Sequence, residues 1–368
     1  MKLGDFISLQ RGYDLPVQDR TKGNVPVIGG GGPNGLHSEA KAKGPGVVIG
    51  RSGAGFGTAF YSQADFWPHN TGLFVTDFHD NIPLFVYYFL DAFNFSKYNS
   101  GGAQPSLNRN FIYPVNILIP PIFEQNAIAN LISIWDATIE KINLLIKYKK
   151  KFLKALIQKH VIAPSMIKGL WAHKKICDIA KRIQRRSNED ELPILTISSA
   201  SGFVLQEEKY SRYMAGESVK NYIRLRKGEF AYNKGNSLRY QFGCVFELKD
   251  YMEALVPNVY VCFKLNSEVD SDYLGHLFDA DYLRHQLGAI VKTGVRNNGL
   301  LNIRPDEFMN VTIPIPPIDE QKQIASILNT AKRETSILEK QLDAYRRQKR
   351  GLMQKLLTGK WRVKIKEK

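Results

Sequence analysis

The chain has 368 residues, 43% of them apolar and 23% charged, a length and balance that fit a soluble protein of about two to three globular domains. No apolar run approaches the roughly 20 residues that a membrane-spanning helix requires. Three cysteines (Cys177, Cys244 and Cys262), odd in number and without C-x-x-C spacing, exclude a disulfide framework and a zinc site, while the net charge of +16 points to a polyanionic partner.

In chain order, the opening "MKLGDFISLQ" lacks the apolar core of a signal peptide, so a cytoplasmic protein with no membrane association is expected. Short apolar strands follow at "VPVIGG", "GVVIGR" and "TGLFVTD", then a helix around "FLDAF" (Phe89 to Phe93), a Gly- and Asn-rich loop "NSGGAQPSLNRN", and a last strand that enters "IPPIFEQ" at Ile119. From there a helix is predicted for about 35 residues, roughly 50 Å at 1.5 Å per residue. Ile128, Ile132, Trp135, Ile139, Ile142 and Ile146 recur every 3.5 residues on average, the period of a coiled-coil seam. "GLW" (Gly169 to Trp171) supplies the stop.

The outline then repeats. "KICDIA" from Lys175 echoes "KLGDFI" at Lys2; strands are expected at "LPILTI", "EFAYNK" and "VYVCFKL", a helix at "LFDAD" (Leu277 to Asp281), a loop at "KTGVRNNGLLNIR", and a strand into "IPPIDEQ" at Ile315. The second long helix carries its seam on Leu328, Leu338, Leu342, Tyr345 and Leu352, and "GKW" (Gly359 to Trp361) ends it. Laid over each other without gaps, Val115 to Lys159 and Val311 to Lys355 share thirteen of forty-five residues, so the chain is an internal duplication. Because the first helix leaves one globular part for the other and the second starts from the latter, the two helices are expected to pair antiparallel about a pseudo-two-fold axis. Net charge is +1 over residues 1–120, +5 over 121–168, +2 over 169–315 and +8 over 316–368, so thirteen of the sixteen surplus charges lie in the helical segments and the tail.

Catalytic signatures are missing. "GAGFG" (Gly53 to Gly57) lacks the third glycine of a dinucleotide loop, Thr58 standing in its place; no phosphate-loop motif occurs, and His69 and His79 are too far apart for H-E-x-x-H.

Two dissimilar domains, each followed by I-P-P-x-x-E-Q and a long helix, resemble the specificity subunit of type I restriction-modification systems across essentially the whole chain. The resemblance implies an α/β fold with target recognition domains at residues 1–120 and 169–315, separated by antiparallel coiled-coil helices at 121–168 and 316–368, the latter with a basic tail. It also implies a non-catalytic protein on double-stranded DNA, joined by two methyltransferase subunits and by restriction subunits. S-adenosylmethionine, ATP and Mg would bind only to those partners. The matching positions are Pro120, Pro121, Glu124 and Gln125, and Pro316, Pro317, Glu320 and Gln321. Their expected role is structural, proline ending the strand and Glu and Gln satisfying free N–H groups at the helix start.

Base edges in the major groove select for Arg against guanine and Asn or Gln against adenine. Candidate readers on the polar loops are Asn34, His37, Arg51, Ser52, Gln104, Asn108 and Arg109 in the first half. In the second half they are Ser199, Lys209, Arg212, Lys234, Asn236, Arg239, Lys292, Arg296 and Asn297. Two other readings stay open: a coiled-coil scaffold that reads no DNA, and an S-adenosylmethionine-dependent enzyme with a concealed site.

Overall fold

A computed structural model describes residues 1–186, 192–209, 216–235, 237–291 and 300–363. The chain forms two compact units, Met1–Leu144 with Glu339–Lys368, and Leu145–Leu338. Each long helix, Ile122–Ile157 and Ile318–Leu356, is thus shared between units, a division that the sequence boundaries at 120, 168 and 315 do not reveal.

In the first unit seven strands build two sheets: β1 (Ser8–Arg11), β2 (Val25–Gly29), β3 (Gly32–His37), β4 (Gly46–Gly50), β5 (Ala59–Ser62), β6 (Trp67–Pro68) and β7 (Gly72–Asp77). The larger sheet has the order β1-β7-β4-β5 and is antiparallel throughout; the smaller, β3-β2-β6, contains the one parallel pairing, β2 with β6, among the strands of this unit. The helix Pro83–Ala92 opens with proline, which costs nothing where the N–H is unsatisfied anyway. It buries Phe85, Val86, Phe89 and Leu90, one stripe at helical spacing. Phe89 meets Phe6 edge-on at 5.3 Å between ring centres.

The second unit has an antiparallel sheet ordered Cys244–Glu247, Phe230–Asn233, Val261–Leu265, Ala180–Ile183, with Ala231 facing both Phe246 and Cys262. Its helix Ser271–Asp279 is the counterpart of Pro83–Ala92, and Phe278 packs on Phe230 and Phe263.

The duplication extends to hydrogen bonds. Lys2 bridges to Asn116, and Lys175 lies opposite Thr312, 196 positions beyond Asn116. In each echo the aspartate, Asp5 or Asp178, accepts from the backbone N–H of the lysine three residues before it at 3.0 Å. Gln125 Oε1 accepts from Ile82 N (3.1 Å) while its Nε2 donates to Asn81 Oδ1 and Pro120 O (2.8 and 3.0 Å). Gln321 Oε1 accepts from Asp270 N (2.8 Å) and its Nε2 donates to Pro316 O and Glu268 O (2.8 and 3.2 Å). Ile82 and Asp270 are the N-cap residues of the two short helices. The signature glutamines therefore satisfy N–H groups of a neighbouring helix, not of their own first turn as the sequence suggests; each staples the short helix to the start of the long one.

Within each unit the long-helix halves run antiparallel. In the first, Trp135 meets Tyr345 edge-on at 5.7 Å, Asp136 pairs with Lys349, and Asn143 accepts from Arg346. In the second, Lys149 Nζ lies 2.6 Å from Glu334. Ile128, Ile132, Ile146, Leu328 and Leu342 are buried, and Trp135, Ile139, Ile142, Leu338, Tyr345 and Leu352 half-buried. The second long helix stops three residues before Gly359 (φ +72°), whereas a π turn, Gln158–Ile162, and a short helix, Ala163–Ser165, separate the first from Gly169 (φ +81°); both glycines hold a backbone that only glycine enters without strain.

Candidate nucleic-acid interface

Three arginines of the first unit converge on one polar cavity of about 610 Å³, lined by Gln10, Arg11, Tyr13, Arg51, Asn108 and Arg109 among others. Arg11 ends β1. The chain then crosses a turn so closely that a Cβ on Gly12 would stand 2.3 Å from His69 O, which is why glycine follows Arg11. Arg51 leaves β4 with its N–H on Thr71 O (2.9 Å) and its carbonyl accepting from Leu107 N (2.8 Å), so the polar loop is tied to the end of the strand. Arg109 Nη1 donates to Leu9 O at 2.6 Å, which aims its guanidinium along the cavity wall. Asn99 organises the loop by accepting from Gly101 N (3.0 Å) and Ser106 N (2.9 Å). A wall of guanidinium forks beside an exposed aromatic ring, Tyr13, suits base edges, phosphates and stacking.

Of the first-half candidates, Arg51, Asn108 and Arg109 come together here, with Ser52 bridged to Ser106 at the margin. Asn108 also caps the turn Arg109–Ile112 by accepting from Asn110 N at 3.0 Å. Gln104 is exposed on the same loop, outside the cavity lining. Asn34 lies on β3 in the smaller sheet, where its carbonyl accepts from Arg20 at 2.7 Å. His37 must be withdrawn as a reader: it is 6% exposed, its Nδ1 accepts from Thr21 N at 3.1 Å, and its ring packs edge-on against Trp67 at 5.1 Å. A side chain so enclosed presents no edge to a base. Gln10, Arg11 and Tyr13 escaped sequence reasoning because nothing local marks the end of an ordinary strand; Asn99, two residues before Gly101, had the signal of an Asx turn.

"GAGFG" also has a packing explanation. A Cβ on Gly55 would fall 1.8 Å from Gly30 O, so two loops approach backbone to backbone.

In the second unit Lys209 and Lys234 donate to the carbonyls of Ile197 (2.8 Å) and Ile303 (3.4 Å). Ser199 is half-buried at the turn joining Leu195–Ser198 to Gly202–Leu205. Arg239 lies over the Tyr240 ring at 4.9 Å and borders a cavity of about 370 Å³ with Lys249, Asp272, His276 and Lys332. There Lys249 bridges Asp272 (2.5 Å) and Glu247 (3.2 Å); burial works against its charge, but the two carboxylates outweigh burial and raise its pKa. Arg212, Asn236, Lys292, Arg296 and Asn297 lie outside the described residues.

Two units of one plan, each ending on a stapled long helix, with arginines gathered beside a polar loop, define a nucleic-acid specificity fold. The sequence profile of the type I restriction modification DNA specificity domain matches residues 1–149 and 171–344, and the chain belongs to that family. It is 25% identical to the putative type I restriction enzyme MjaX specificity subunit of Methanocaldococcus jannaschii, over 77% of this chain and 69% of that protein. To the EcoKI specificity subunit of Escherichia coli K12 it is 22% identical, over 68% of this chain and 58% of that protein. The crystal structure of the type I restriction-modification S subunit from M. genitalium shares the fold at a TM-score of 0.62 and 14% identity, covering 97% of this chain and 95% of that one.

Proposed function

We propose that the chain reads a two-part DNA site, one half-site per recognition domain, and that its paired helices carry two methyltransferase subunits and the restriction subunits. The observation that carries the reading is the convergence of Arg11, Arg51 and Arg109 on one cavity in a family of DNA specificity domains. Methyl donor, ATP and Mg belong on the partners in this reading, and the chain itself is non-catalytic and cytoplasmic. Burial pushes the thiols of Cys244 and Cys262 up to about 12, so neither supplies a thiolate nucleophile at neutral pH. Among the described residues no helix is long and apolar enough to cross a membrane.

Methylation mapping of DNA from cells carrying the methyltransferase, with and without this chain, tests the reading. A single interrupted motif that appears only with the chain is the expected result. No motif would favour the scaffold without DNA reading, and S-adenosylmethionine bound by the isolated chain would favour the concealed enzyme.

A further inference from the structure

Within the second unit a separate cavity of about 460 Å³ is lined by Arg185, Arg226, Lys227, Lys264 and Lys322, with Glu229 and Asp270 as the carboxylates in its wall. The cations come from five places: the segment after Ala180–Ile183, the end of the strand Ile223–Arg226, the turn that follows it, the strand Val261–Leu265, and the first turns of the long helix Ile318–Leu356. Both carboxylates are engaged. Glu229, 3% exposed, holds Arg185 Nη2 at 2.6 Å and Arg226 N at 2.8 Å, and Asp270 caps the helix Ser271–Asp279 by accepting from Tyr273 N at 2.9 Å. Arg226 is fixed by Glu253 at 2.8 Å. Lys227, Lys264 and Lys322 are exposed and make no ion pair among the described residues.

A buried carboxylate that orients one guanidinium, beside three free ammonium groups, leaves the cavity with an uncompensated positive field and donors already placed. The repeat shows that the scaffold does not need a cation at the helix position: Lys322 is the counterpart of Asn126, 196 positions earlier, at the same place on the first long helix. The geometry points to a phosphate-binding site, and the phosphate it takes is one of the DNA backbone flanking the second half-site. This rests on the reading of the chain as a DNA specificity subunit.

The test uses the full chain assembled with its methyltransferase. Lys227→Gln, Lys264→Gln and Lys322→Gln are combined, and a charge-matched control combines Lys141→Gln, Lys159→Gln and Lys340→Gln. DNA affinity is measured against salt, and the isolated chains are melted with and without pyrophosphate. For the cavity variant the slope of log K against log salt should shrink by about one for each phosphate that the removed lysines had neutralised, with the methylated sequence unchanged and the control keeping its slope. Pyrophosphate should raise the melting temperature of the wild type and the control more than that of the cavity variant. Equal reduction of slope in both variants, or none in either, overturns the assignment to the DNA backbone. If only the pyrophosphate effect separates the variants, the cavity takes a free phosphate compound and the DNA assignment is wrong. If the wild-type complex shows no sequence preference, the specificity reading fails, and the pyrophosphate comparison alone decides the cavity: equal shifts in all three chains refute it.

Discussion

Glu124, at the start of the first long helix, is clasped by Arg362 from beyond the end of the second. Arg362 Nε lies 2.9 Å from both carboxylate oxygens, and Val363 N donates to Oε1 at 3.0 Å. In the other unit Glu320 accepts instead from the indole N–H of Trp171 at 3.2 Å. Each signature glutamate is therefore held by the exit segment of the opposite helix, by a cation in one unit and a neutral donor in the other. Arg362 holds the Glu124 carboxyl below the usual carboxylate range. A carboxylate whose folded pKa is depressed stabilises the fold above its unfolded pKa, about 4.3, and that contribution is lost as pH falls through the lower folded value. Glu124→Gln should accordingly flatten the decline in urea midpoint below about pH 5, while Trp171→Phe, which removes the indole donor, should lower stability. An undiminished acid decline in Glu124→Gln would show that the ion pair adds nothing to the fold.

Gln321 is fully buried, and its amide serves both ends of the staple. Gln321→Ala strands the Asp270 N–H and the Pro316 carbonyl and should cost about 2 kcal/mol, more than a typical surface substitution. Gln321→Glu keeps the acceptor, loses the donor and buries a charge; at about pH 7 it should be at least as damaging, with partial recovery as acid protonates it. Urea unfolding of the full chain gives both numbers. A change for Gln321→Ala inside the range of ordinary surface substitutions, about ±0.5 kcal/mol, would rule the staple out as a source of stability.

The seam was legible because a 3.5-residue period is written in consecutive residues, and the strands at "VPVIGG", "GVVIGR" and "VYVCFKL" because apolar runs between glycines have few other uses. The staple was half legible. Sequence shows that Gln125 and Gln321 begin helices, but their partners, Ile82 and Asp270, are chosen by the tertiary fold. His37 failed because a polar residue after "GGGGPNG" resembles a loop reader, whereas the sheet folds its ring onto Trp67. Lys149 meets Glu334, a pairing set by helix register and invisible in either helix alone.

His276 carries a second pH dependence. Buried on Ser271–Asp279, its Nε2 is 2.8 Å from Asn329 Oδ1, and Asn329 Nδ2 donates to Asp272 at 2.9 Å, so with the amide in this orientation Nε2 carries a proton and donates. Burial holds its pKa below the usual histidine range. The neutral ring therefore stabilises fully above about pH 6.5, its unfolded pKa, and stability falls as pH drops toward the folded value. Replacement by Gln, which does not titrate, should remove that part of the slope below about pH 6.5 in thermal melts. A slope equal to that of the wild type would assign it to other groups.

Arg51 and Arg109 should separate by role. Arg51→Lys keeps the charge but loses the planar fork, so if Arg51 reads a guanine, one position of the first half-site should relax by about 1–3 kcal/mol while the rest of the motif holds. Arg109→Ala removes a cation tethered to Leu9 O and should weaken methylation at all sites in similar proportion. Methylation mapping reads both. Uniform weakening by Arg51→Lys would make it a backbone contact, and relaxation at a second-half position would mean that the first unit reads the second half-site instead.

A half-chain puts the duplication itself to the test. If residues 1–168 make a complete unit, two copies can pair through Ile128, Ile132, Trp135, Ile139, Ile142 and Ile146 and direct methylation to an interrupted palindrome of the first half-site. The packing of the first unit says what such a dimer lacks. Its core uses Met353 and Leu357 from the second helix, whose repeat counterparts in the first are Ile157 and Val161, both apolar and able to substitute. Asp136 is paired with Lys349, whose counterpart is Leu153, so each copy would leave a seam carboxylate without its cation. Glu124 would also be uncapped, because a chain ending at residue 168 omits Trp171, the donor that caps Glu320. A chain extended to residue 175 should therefore dimerise more tightly than one ending at 168, and Leu153→Lys in the longer chain should tighten it further by restoring two symmetric pairs with Asp136. Sedimentation at a series of concentrations measures both effects, and methylation mapping reads the palindrome. Dimers of equal strength from all three chains would show that the apolar seam alone drives pairing. A folded monomer that still directs methylation to the asymmetric site of the intact protein would defeat the symmetry argument altogether.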